Sequence, residues 1–267
     1  MTSARFTSQS FLGQDSEAIL QNVHVGIVGL SGGGSHLVQQ LVHLGVLHFT
    51  VIDFDHIEEK NLNRLVGATL DDVKCSALKT TISERIIKGV APNATVISRP
   101  YHWQEILPDL RECDVIFGCV DSYKERDELE RFCRRFLIPY IDLGMDIHPV
   151  GDRFSIGGQV VLSSPGGPCL WCFGILTQER LQEEAHRYGQ KTSAPQVVWT
   201  NGVLASVAVG LFVQLVCPWH DAPTATHCAE YDGNRHLVEA SRMRYASQLR
   251  CSHFPENAVG DPFFSRG

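Results

Sequence analysis

Short apolar segments alternate with segments of mixed polarity along the first half of the chain. The apolar segments are rich in valine, isoleucine and phenylalanine, and they predict β-strands at residues 23–28, 49–53, 95–98, 115–119 and 139–142. The intervening segments carry apolar residues at helical spacing and predict helices at residues 34–44, near 76–88 and at 123–136. Because strands that alternate with helices form parallel sheets with helices on both faces, the pattern predicts a doubly wound, Rossmann-like α/β core.

The second half of the chain departs from this alternation after Met145. Residues 154–162 and 226–238 have the pattern of antiparallel strands, and helices are predicted between them at 175–188 and 201–216. No repeat or low-complexity linker interrupts the chain, so we predict a single domain over residues 1–267. The predicted fold is a mostly parallel sheet with an antiparallel C-terminal extension.

Composition and charge narrow the range of functions. The net charge is −7, from 23 basic and 30 acidic residues, and without a dense run of Lys and Arg we expect no nucleic-acid partner. The N-terminus lacks an apolar segment behind a basic start, which predicts a cytoplasmic protein. The longest apolar run, 203–216, is interrupted by Ser206 and Gln214 and is shorter than the roughly 20 residues that cross a membrane, so we interpret it as a buried helix.

A glycine-rich turn, GLSGGG at residues 29–34, follows the first strand. Gly29, Ser31, Gly32 and Gly34 are small residues where the chain turns sharply and where backbone can approach a phosphate at a helix N-terminus. Asp53 ends the next strand, where a carboxylate can accept hydrogen bonds from a ribose, and we expect Asp55 to face the same side. These features alone fit a nicotinamide-dependent oxidoreductase as well as an ATP-using enzyme.

Polar and basic residues beyond the second strand favour the ATP-using enzyme. Asn61, Arg64 and Lys79 add two cations where a dehydrogenase needs none, whereas displacement of pyrophosphate needs cations around the leaving group. For each cation alone, a solvated surface charge is the more common interpretation.

Asp121 directly follows the strand VIFGCV, at the edge of the sheet where open α/β proteins bind ligands. There its carboxylate can hold Mg²⁺ against phosphate oxygens. The alternative is a structural role as the cap of the helix that begins near Ser122.

Together these residues resemble the ThiF/MoeB superfamily, the adenylating enzymes that include the activating enzymes for ubiquitin and ubiquitin-like proteins. The resemblance covers most of the chain, through the segments GIVGLSGGGSH, DFDHIEEKNLNR, CVDS, IPYIDLG and GPCLWCFG and the helix of Lys79. It implies that Asp53 holds the ribose of ATP, that Asn61, Arg64 and Lys79 hold the phosphates, and that Asp121 holds Mg²⁺. The spacing between Lys79 and Pro92 is similar to the family spacing and favours Lys79 over Lys74.

The resemblance also implies a reaction and a set of partners. Members of this family adenylate the C-terminal carboxylate of a small β-grasp protein that ends in glycine and release pyrophosphate. The acyl-adenylate then passes to a thiol or sulfur acceptor, with a conjugating enzyme or a sulfur donor as a further partner. We expect a homodimer, because the resemblance implies one and the apolar helix at 201–216 offers an interface. The remaining alternative is a non-catalytic partner that binds a β-grasp protein without turnover.

Three positions depart from the family pattern. Ser31 replaces a glycine of the turn, and Ser8 stands where relatives have an N-terminal arginine that reaches the partner subunit's site, a role for which Arg5 is the candidate. The segment KTSAPQVVWTNGVLAS lacks the cysteine with which thioester-forming relatives act. Cys75 and Cys228 are the remaining candidates for such a thiol, and the alternative is that the enzyme stops at the adenylate.

The nine cysteines, an odd and unevenly spaced set, indicate metal binding or reduced thiols more than a disulfide framework. Cys169 and Cys172 form a CxxC knuckle with the spacing of a Zn²⁺ site. The family resemblance supports Cys251 and His253 as the second half of that site, with Cys228 and His220 as alternatives for the fourth ligand. A redox-active CxxC is the other interpretation of the knuckle.

Overall fold

The computed structural model describes residues 4–186, 195–217, 219, 227–241 and 251–254. Within these ranges, one eight-stranded sheet has the order β3-β2-β1-β4-β5-β6-β7-β8. Its strands are His24–Val28 (β1), His48–Ile52 (β2), Thr95–Arg99 (β3), Val115–Gly118 (β4), Tyr140–Val150 (β5), Arg153–Ser163 (β6), Cys228–Asp232 (β7) and Leu237–Ala240 (β8). The pairings among β1 to β5 are parallel, and those from β5 to β8 are antiparallel. The predicted Rossmann-like sheet with an antiparallel C-terminal extension is confirmed.

Eight α-helices lie in the described ranges. They are Ser16–Asn22 (α1), Gly32–Leu44 (α2), Leu70–Lys74 (α3), Lys79–Val90 (α4), Leu107–Arg111 (α5), Tyr123–Arg135 (α6), Gln178–His186 (α7) and Val198–Val216 (α8). Three 3-10 segments, Ala4–Leu12, Glu59–Asn61 and Trp103–Glu105, complete the set. The short helices α1, α3 and α5 have too few turns to show a period in the sequence, and the prediction missed them.

Both faces of the inner parallel strands β1, β2 and β4 are largely buried. Along β4, Val115 and Phe117 belong to the core formed with α2 and α8, whereas Ile116 belongs to the core formed with α6. Successive side chains of a strand point to opposite faces, so a strand covered on both sides has an almost continuous apolar sequence. This explains why the first-half strands are easy to find in the sequence.

The C-terminal strands differ from the prediction. The strand expected at 139–142 continues to Val150, because β5 and β6 form a long hairpin in which Tyr140 is opposite Ser163 and Val150 is opposite Arg153. The single stretch predicted at 226–238 is two strands, β7 and β8, which pair with each other across a turn. The outer half of the hairpin is partly exposed, so its sequence lacks the apolar run that marks the inner strands.

Helix α8 is long and apolar enough to cross a membrane when judged by length and composition alone. In the fold it packs against α2, β5 and β6, and it buries Leu204, Ala208 and Phe212 in their shared core. These contacts account for the apolar residues on the face of α8 that meets the sheet and α2, whereas Val198 and Trp199 at its start are exposed.

Candidate active site

A cavity opens at the carboxyl ends of β1, β2 and β4, and the glycine turn forms one of its walls. Gly29, Ser31 and Gly32 line the cavity. Gly29 has a φ of 89°, and a Cβ at this position would lie 2.5 Å from the carbonyl oxygen of Cys119. Gly34 lies outside the lining and packs against the backbone of Gly29, where a side chain has no room. The turn therefore brings the start of α2 directly to the cavity.

Ser31 is the N-cap residue of α2, and its side chain makes no capping hydrogen bond. Its Oγ is buried and has no hydrogen-bond partner among the described residues. A buried hydroxyl without a partner is unfavourable unless a ligand supplies one. The unpaired hydroxyl and the open N–H groups of a 13-residue helix together suit an anionic ligand such as a phosphate.

Asp53 directly follows β2 and is 9% exposed. Its carboxylate accepts hydrogen bonds from the backbone N–H groups of Leu30 and Asp55, at 2.8 and 2.9 Å. Burial raises the pKa of Asp53, while the ammonium of Lys79 and these two hydrogen bonds act in the opposite direction. The side chain is thus fixed beside the glycine turn, where a ribose hydroxyl can reach a carboxylate oxygen.

Lys79 begins α4 and points into the same cavity. Its Nζ lies 2.6 Å from Oδ2 of Asp55 and 3.6 Å from Oδ1 of Asp53, and its side chain is 6% exposed. Lys74, by contrast, is on the surface and pairs with Asp71. The structure therefore places Lys79 in the cavity and Lys74 outside it.

Asp121 follows β4 and lines the opposite side of the cavity. Its Oδ1 accepts a long hydrogen bond of 3.4 Å from Nε2 of Gln196. The N-cap of α6 is Ser122, whose Oγ accepts from the N–H of Glu125 at 3.2 Å. The helix-cap interpretation of Asp121 is therefore wrong for this helix, and the Asp121 carboxylate faces the ligand space.

Asn61 and Arg64 are not among the described residues that line the cavity. Asn61 is buried, and its Oδ1 accepts from the backbone N–H of Glu58 at 2.9 Å. Nη1 of Arg64 donates to the carbonyl of Lys60 at 2.8 Å, and its buried Nε has no partner in the described part of the chain. Both side chains form hydrogen bonds with nearby backbone groups. Their role as phosphate ligands therefore stays a prediction.

Arg5 lies at the C-terminal end of α2. Its Nη2 donates to the carbonyl of Val42 at 2.8 Å, and the neighbouring Gln9 donates to the carbonyl of Leu44 at 2.8 Å. A cation at this end of a helix is favourable because the unpaired carbonyls carry partial negative charge. In its own chain Arg5 therefore supports α2 and does not line the cavity.

The sequence prediction missed Arg126, a buried residue of α6 that also lines the cavity. Its guanidinium pairs with Asp142 at 3.3 Å and donates to the carbonyls of Val120 and Leu143, at 3.2 and 3.3 Å. Tyr140 donates to the other oxygen of Asp142 at 2.9 Å. Burial raises the pKa of Asp142, and Arg126 opposes that shift. Arg126 thus ties the segment after β4, just before Asp121, to Asp142 and Leu143 near the start of β5.

Carboxyl side chains outnumber cations around the cavity. Among the described residues, the lining has four carboxyl side chains, Asp53, Asp55, Asp121 and Glu125, against two Lys or Arg cations, Lys79 and Arg126. Both cations already have carboxylate partners. Since carboxylate oxygens are ligands that Mg²⁺ prefers, Asp121 at the open side of the cavity suits a Mg²⁺ bound with phosphates.

A second site lies at the knuckle, where the ligand atoms of Cys169, Cys172, Cys251 and His253 are all within 4.8 Å of one another. Sγ of Cys169 is 3.6 Å from Sγ of Cys172, 3.4 Å from Sγ of Cys251 and 3.5 Å from Nδ1 of His253. Four converging sulfur and nitrogen donors fit a closed tetrahedral Zn²⁺ site better than a redox pair, which needs two thiols. Cys228 lies outside this cluster in β7, and His220 is outside the described residues.

Helix α6 supports the knuckle. Trp171 stacks on the ring of His253 with centroids 5.8 Å apart, and its indole N–H donates to Asp127 at 2.7 Å. Oε1 of Glu130 accepts from the N–H of Leu170 at 2.9 Å, and burial raises the pKa of Glu130 to about 7. The Cys/His group is therefore built onto the helix that follows Asp121.

Replacing Cys169 with serine is expected to release the bound metal and destabilise the fold. If the site contributes about 3 kcal/mol, the Tm falls by roughly 6–12 °C in a domain of this size. Metal content by mass spectrometry and Tm by differential scanning calorimetry measure both effects. Cys75→Ser, at an exposed thiol, is the matched control. Full retention of metal and Tm in Cys169→Ser would contradict a structural metal site.

None of the nine cysteines, all of which the structure describes, forms a disulfide. Of the two candidates for a thioester, Cys75 is exposed at the end of α3, whereas Cys228 is buried at the start of β7. Burial raises the pKa of Cys228 to about 12, so its thiol stays protonated and is a poor nucleophile near pH 7.

The sheet and the cavity at its carboxyl edge are those of the Rossmann-like class of α/β proteins, which bind ligands at this edge. Residues 4–252 match the model of the ThiF family, and the chain therefore belongs to the ThiF family. This confirms the resemblance inferred from the sequence.

Comparison with individual proteins gives relatives of low sequence identity. A tRNA threonylcarbamoyladenosine dehydratase of Haemophilus influenzae is 30% identical over 49% of this chain and 50% of its own length. Ubiquitin-like modifier-activating enzyme 5 of Arabidopsis thaliana is 23% identical over 73% of this chain and 48% of its own length. The SAMP-activating enzyme E1 of Haloferax volcanii is 26% identical over 60% of this chain and 57% of its own length. The chain thus spans about half the length of these relatives.

Solved structures show the same fold. The crystal structure of E. coli MccB with ATP has a TM-score of 0.72 and 19% identity, covering 91% of this chain and 72% of that one. PaaA has a TM-score of 0.63 and 19% identity, covering 85% of this chain and 66% of that one. At these identities the likeness establishes a shared fold.

Proposed function

We propose that this protein is an ATP-dependent adenylyltransferase that acts on the C-terminal carboxylate of a ubiquitin-like or sulfur-carrier protein. The observation that carries the proposal is the cavity itself, in which the buried pair of Asp53 and Lys79 lies beside the N-terminus of α2 and across from Asp121. Membership of the ThiF family supports the proposal, as do relatives whose names describe modifier-activating enzymes and adenylyltransferases.

In the proposed reaction, an oxygen of the partner's carboxylate attacks the α-phosphorus of ATP. The bond from that phosphorus to the bridging oxygen breaks, pyrophosphate leaves, and an acyl-adenylate forms. Little covalent chemistry is required of the protein, so positioning and charge stabilisation provide the rate enhancement. Asp53 would hold the ribose, whereas the helix N-terminus and Lys79 would hold phosphate oxygens. The predicted phosphate contacts of Asn61 and Arg64 would require their side chains to turn toward the cavity.

Asp121 is the proposed ligand of Mg²⁺, which when bound supplies charge neutralisation to the phosphates. The four sulfur and nitrogen donors of the knuckle are proposed to hold a structural Zn²⁺. Each proposed ion thus matches the chemistry of the side chains around it.

The proposed partner is a β-grasp protein with a C-terminal glycine, and a conjugating enzyme or a sulfur donor would receive the activated product. We also propose a homodimer in the cytoplasm. Val198 and Trp199 of α8 are 42% and 51% exposed, which leaves apolar surface for a second copy. Nine cysteines without a disulfide are consistent with a reducing compartment.

Binding of ATP in preference to NAD⁺ tests the proposal that the cavity holds ATP. Saturating ATP with Mg²⁺, at about 100 times Kd, is expected to stabilise the protein by about 2.7 kcal/mol, which is roughly 5–10 °C in Tm. NAD⁺ at the same concentration is expected to have little effect. Differential scanning fluorimetry measures both, and stabilisation by NAD⁺ without stabilisation by ATP would instead support the oxidoreductase alternative.

A further inference from the structure

Two carboxylates approach the Lys79 ammonium, and they differ in their freedom to move. Asp53 is buried, and each of its oxygens accepts a backbone hydrogen bond, at 2.8 Å from Leu30 and 2.9 Å from Asp55. The side chain of Asp55 is 51% exposed, and its Oδ2 makes the closer contact with Nζ, at 2.6 Å against 3.6 Å for Asp53. Asp53 is therefore fixed, whereas the Asp55 carboxylate can turn into water without losing hydration.

The backbone around this ion pair is held independently of the two side chains. The N–H of Lys79 donates to the carbonyl of Asp55 at 3.1 Å, and the N–H of Ile57 donates to the carbonyl of Ala77 at 2.9 Å. A β-bridge joins His56 to Leu78 between these two contacts. Removing the charge of Asp55 should thus leave the segment after β2 in register with the start of α4.

A buried ammonium needs a partner, because an unpaired charge in a mostly desolvated position is unfavourable. In the free protein the closer partner is Asp55, at 2.6 Å, with Asp53 at 3.6 Å. When a triphosphate arrives beside the N-terminus of α2, its oxygens and Asp55 compete for the same ammonium protons. Binding therefore requires Lys79 to exchange one anionic partner for another.

We infer that Asp55 is the resting counter-ion of Lys79, a positioning residue that holds the ammonium in the empty cavity and gives it up to the incoming triphosphate. The inference rests on the proposed function for the identity of the phosphate ligand. It assigns Asp55 a role different from that of a ribose or Mg²⁺ ligand, and the three roles predict different effects of one substitution.

The test is calorimetric titration of ATP, adenosine and inorganic tripolyphosphate, each with Mg²⁺, into the wild-type protein and Asp55→Asn. Asparagine keeps the size of the side chain and removes its charge. The matched control is Asp71→Asn, which removes the carboxylate of the exposed pair with Lys74, 2.7 Å apart on the surface. Cooperative thermal unfolding of all three proteins, with the titrations run well below the lowest Tm, shows that the compared proteins are folded.

The expected result is that Asp55→Asn binds ATP and tripolyphosphate about two- to five-fold more tightly, as expected for removal of a partly exposed competing ion pair. Adenosine, which has no phosphate, should bind as to the wild type, and Asp71→Asn should bind all three as the wild type does. Weaker binding of adenosine would overturn the inference in favour of a ribose ligand. Weaker binding of tripolyphosphate would overturn the inference in favour of a metal-ligand role for Asp55. Unchanged binding would overturn it by showing that Asp55 has no role in phosphate binding.

A failure of the proposed function would give different binding results from a failure of the inference about Asp55. If tripolyphosphate binds and Asp55→Asn tightens it, while the wild type does not bind ATP, the counter-ion role stands and the nucleotide assignment fails. If the wild type binds neither ATP nor tripolyphosphate, there is no phosphate with which Asp55 competes, and both are overturned.

Discussion

Replacing Asp121 with alanine is expected to lower the rate of ATP–pyrophosphate exchange by about 100- to 1,000-fold, a loss typical of removing one charge-stabilising group. The physical reason is that Asp121 faces the ligand space on the side of the cavity across from Lys79, where a Mg²⁺ held on phosphate oxygens needs a carboxylate. The measurement is the rate of exchange at saturating ATP over a range of Mg²⁺ concentrations.

The same variant should fold normally. Asp121 is exposed and does not cap α6, whereas Ser122 does. Ser122→Ala is therefore the comparison for stability, with an expected loss of about 1 kcal/mol from removal of the cap. If Asp121→Ala were less stable than Ser122→Ala, the loss of exchange would reflect damage to α6, and the assignment of Asp121 as a metal ligand would fail.

Replacing Arg126 with glutamine is expected to have the largest effect on stability, about 3–5 kcal/mol, because it leaves the buried Asp142 without its cation. The substitution also removes the guanidinium that binds the carbonyls of Val120 and Leu143. Urea denaturation of the wild type and the variant measures the free energy of unfolding.

The loss should depend on pH in a defined direction. Burial already raises the pKa of Asp142, and without Arg126 that folded-state pKa rises further above its unfolded value. The penalty is therefore small below the unfolded pKa and grows as pH rises toward the folded pKa. Adding Asp142→Asn to the variant should restore part of the stability at neutral pH, and additive effects of the two substitutions would show that the pair is not coupled.

Much of the fold was predictable because the inner strands are covered on both faces. The apolar runs of β1, β2 and β4 are too short for helices and are typical of buried strands. The outer half of β5 escaped prediction because its pattern of exposure follows hairpin pairing with β6, a contact between strands that a local sequence pattern does not contain.

The candidate site was predictable where a residue's position follows from a strand end. Asp53 directly follows β2 and Asp121 follows β4, so parallel topology brings them to one edge of the sheet. Asn61 and Arg64 lie in and after a 3-10 turn, and their side chains bind nearby backbone groups instead. Spacing along the chain does not determine which way such a side chain points.

Arg126 is a buried residue of the cavity that the sequence pattern did not indicate. It lies in a helix rich in charged residues, most of which are partly or fully exposed, so its charge gave no sign of burial. The informative signal is Asp142, a carboxylate within the buried and otherwise apolar first half of β5, where a charge needs a buried partner. A search for that partner among the charges of the neighbouring helix would have found Arg126.

The central claim is adenylation of a protein carboxylate, and its most direct measurement is exchange of radiolabelled pyrophosphate into ATP. The assay uses the purified full chain with Mg²⁺, with and without candidate β-grasp proteins that end in glycine, and Asp121→Ala as the comparison. We expect exchange that depends on one of these candidates and is about 100- to 1,000-fold slower with Asp121→Ala. No exchange with any candidate, together with measurable binding of NAD⁺, would contradict the claim.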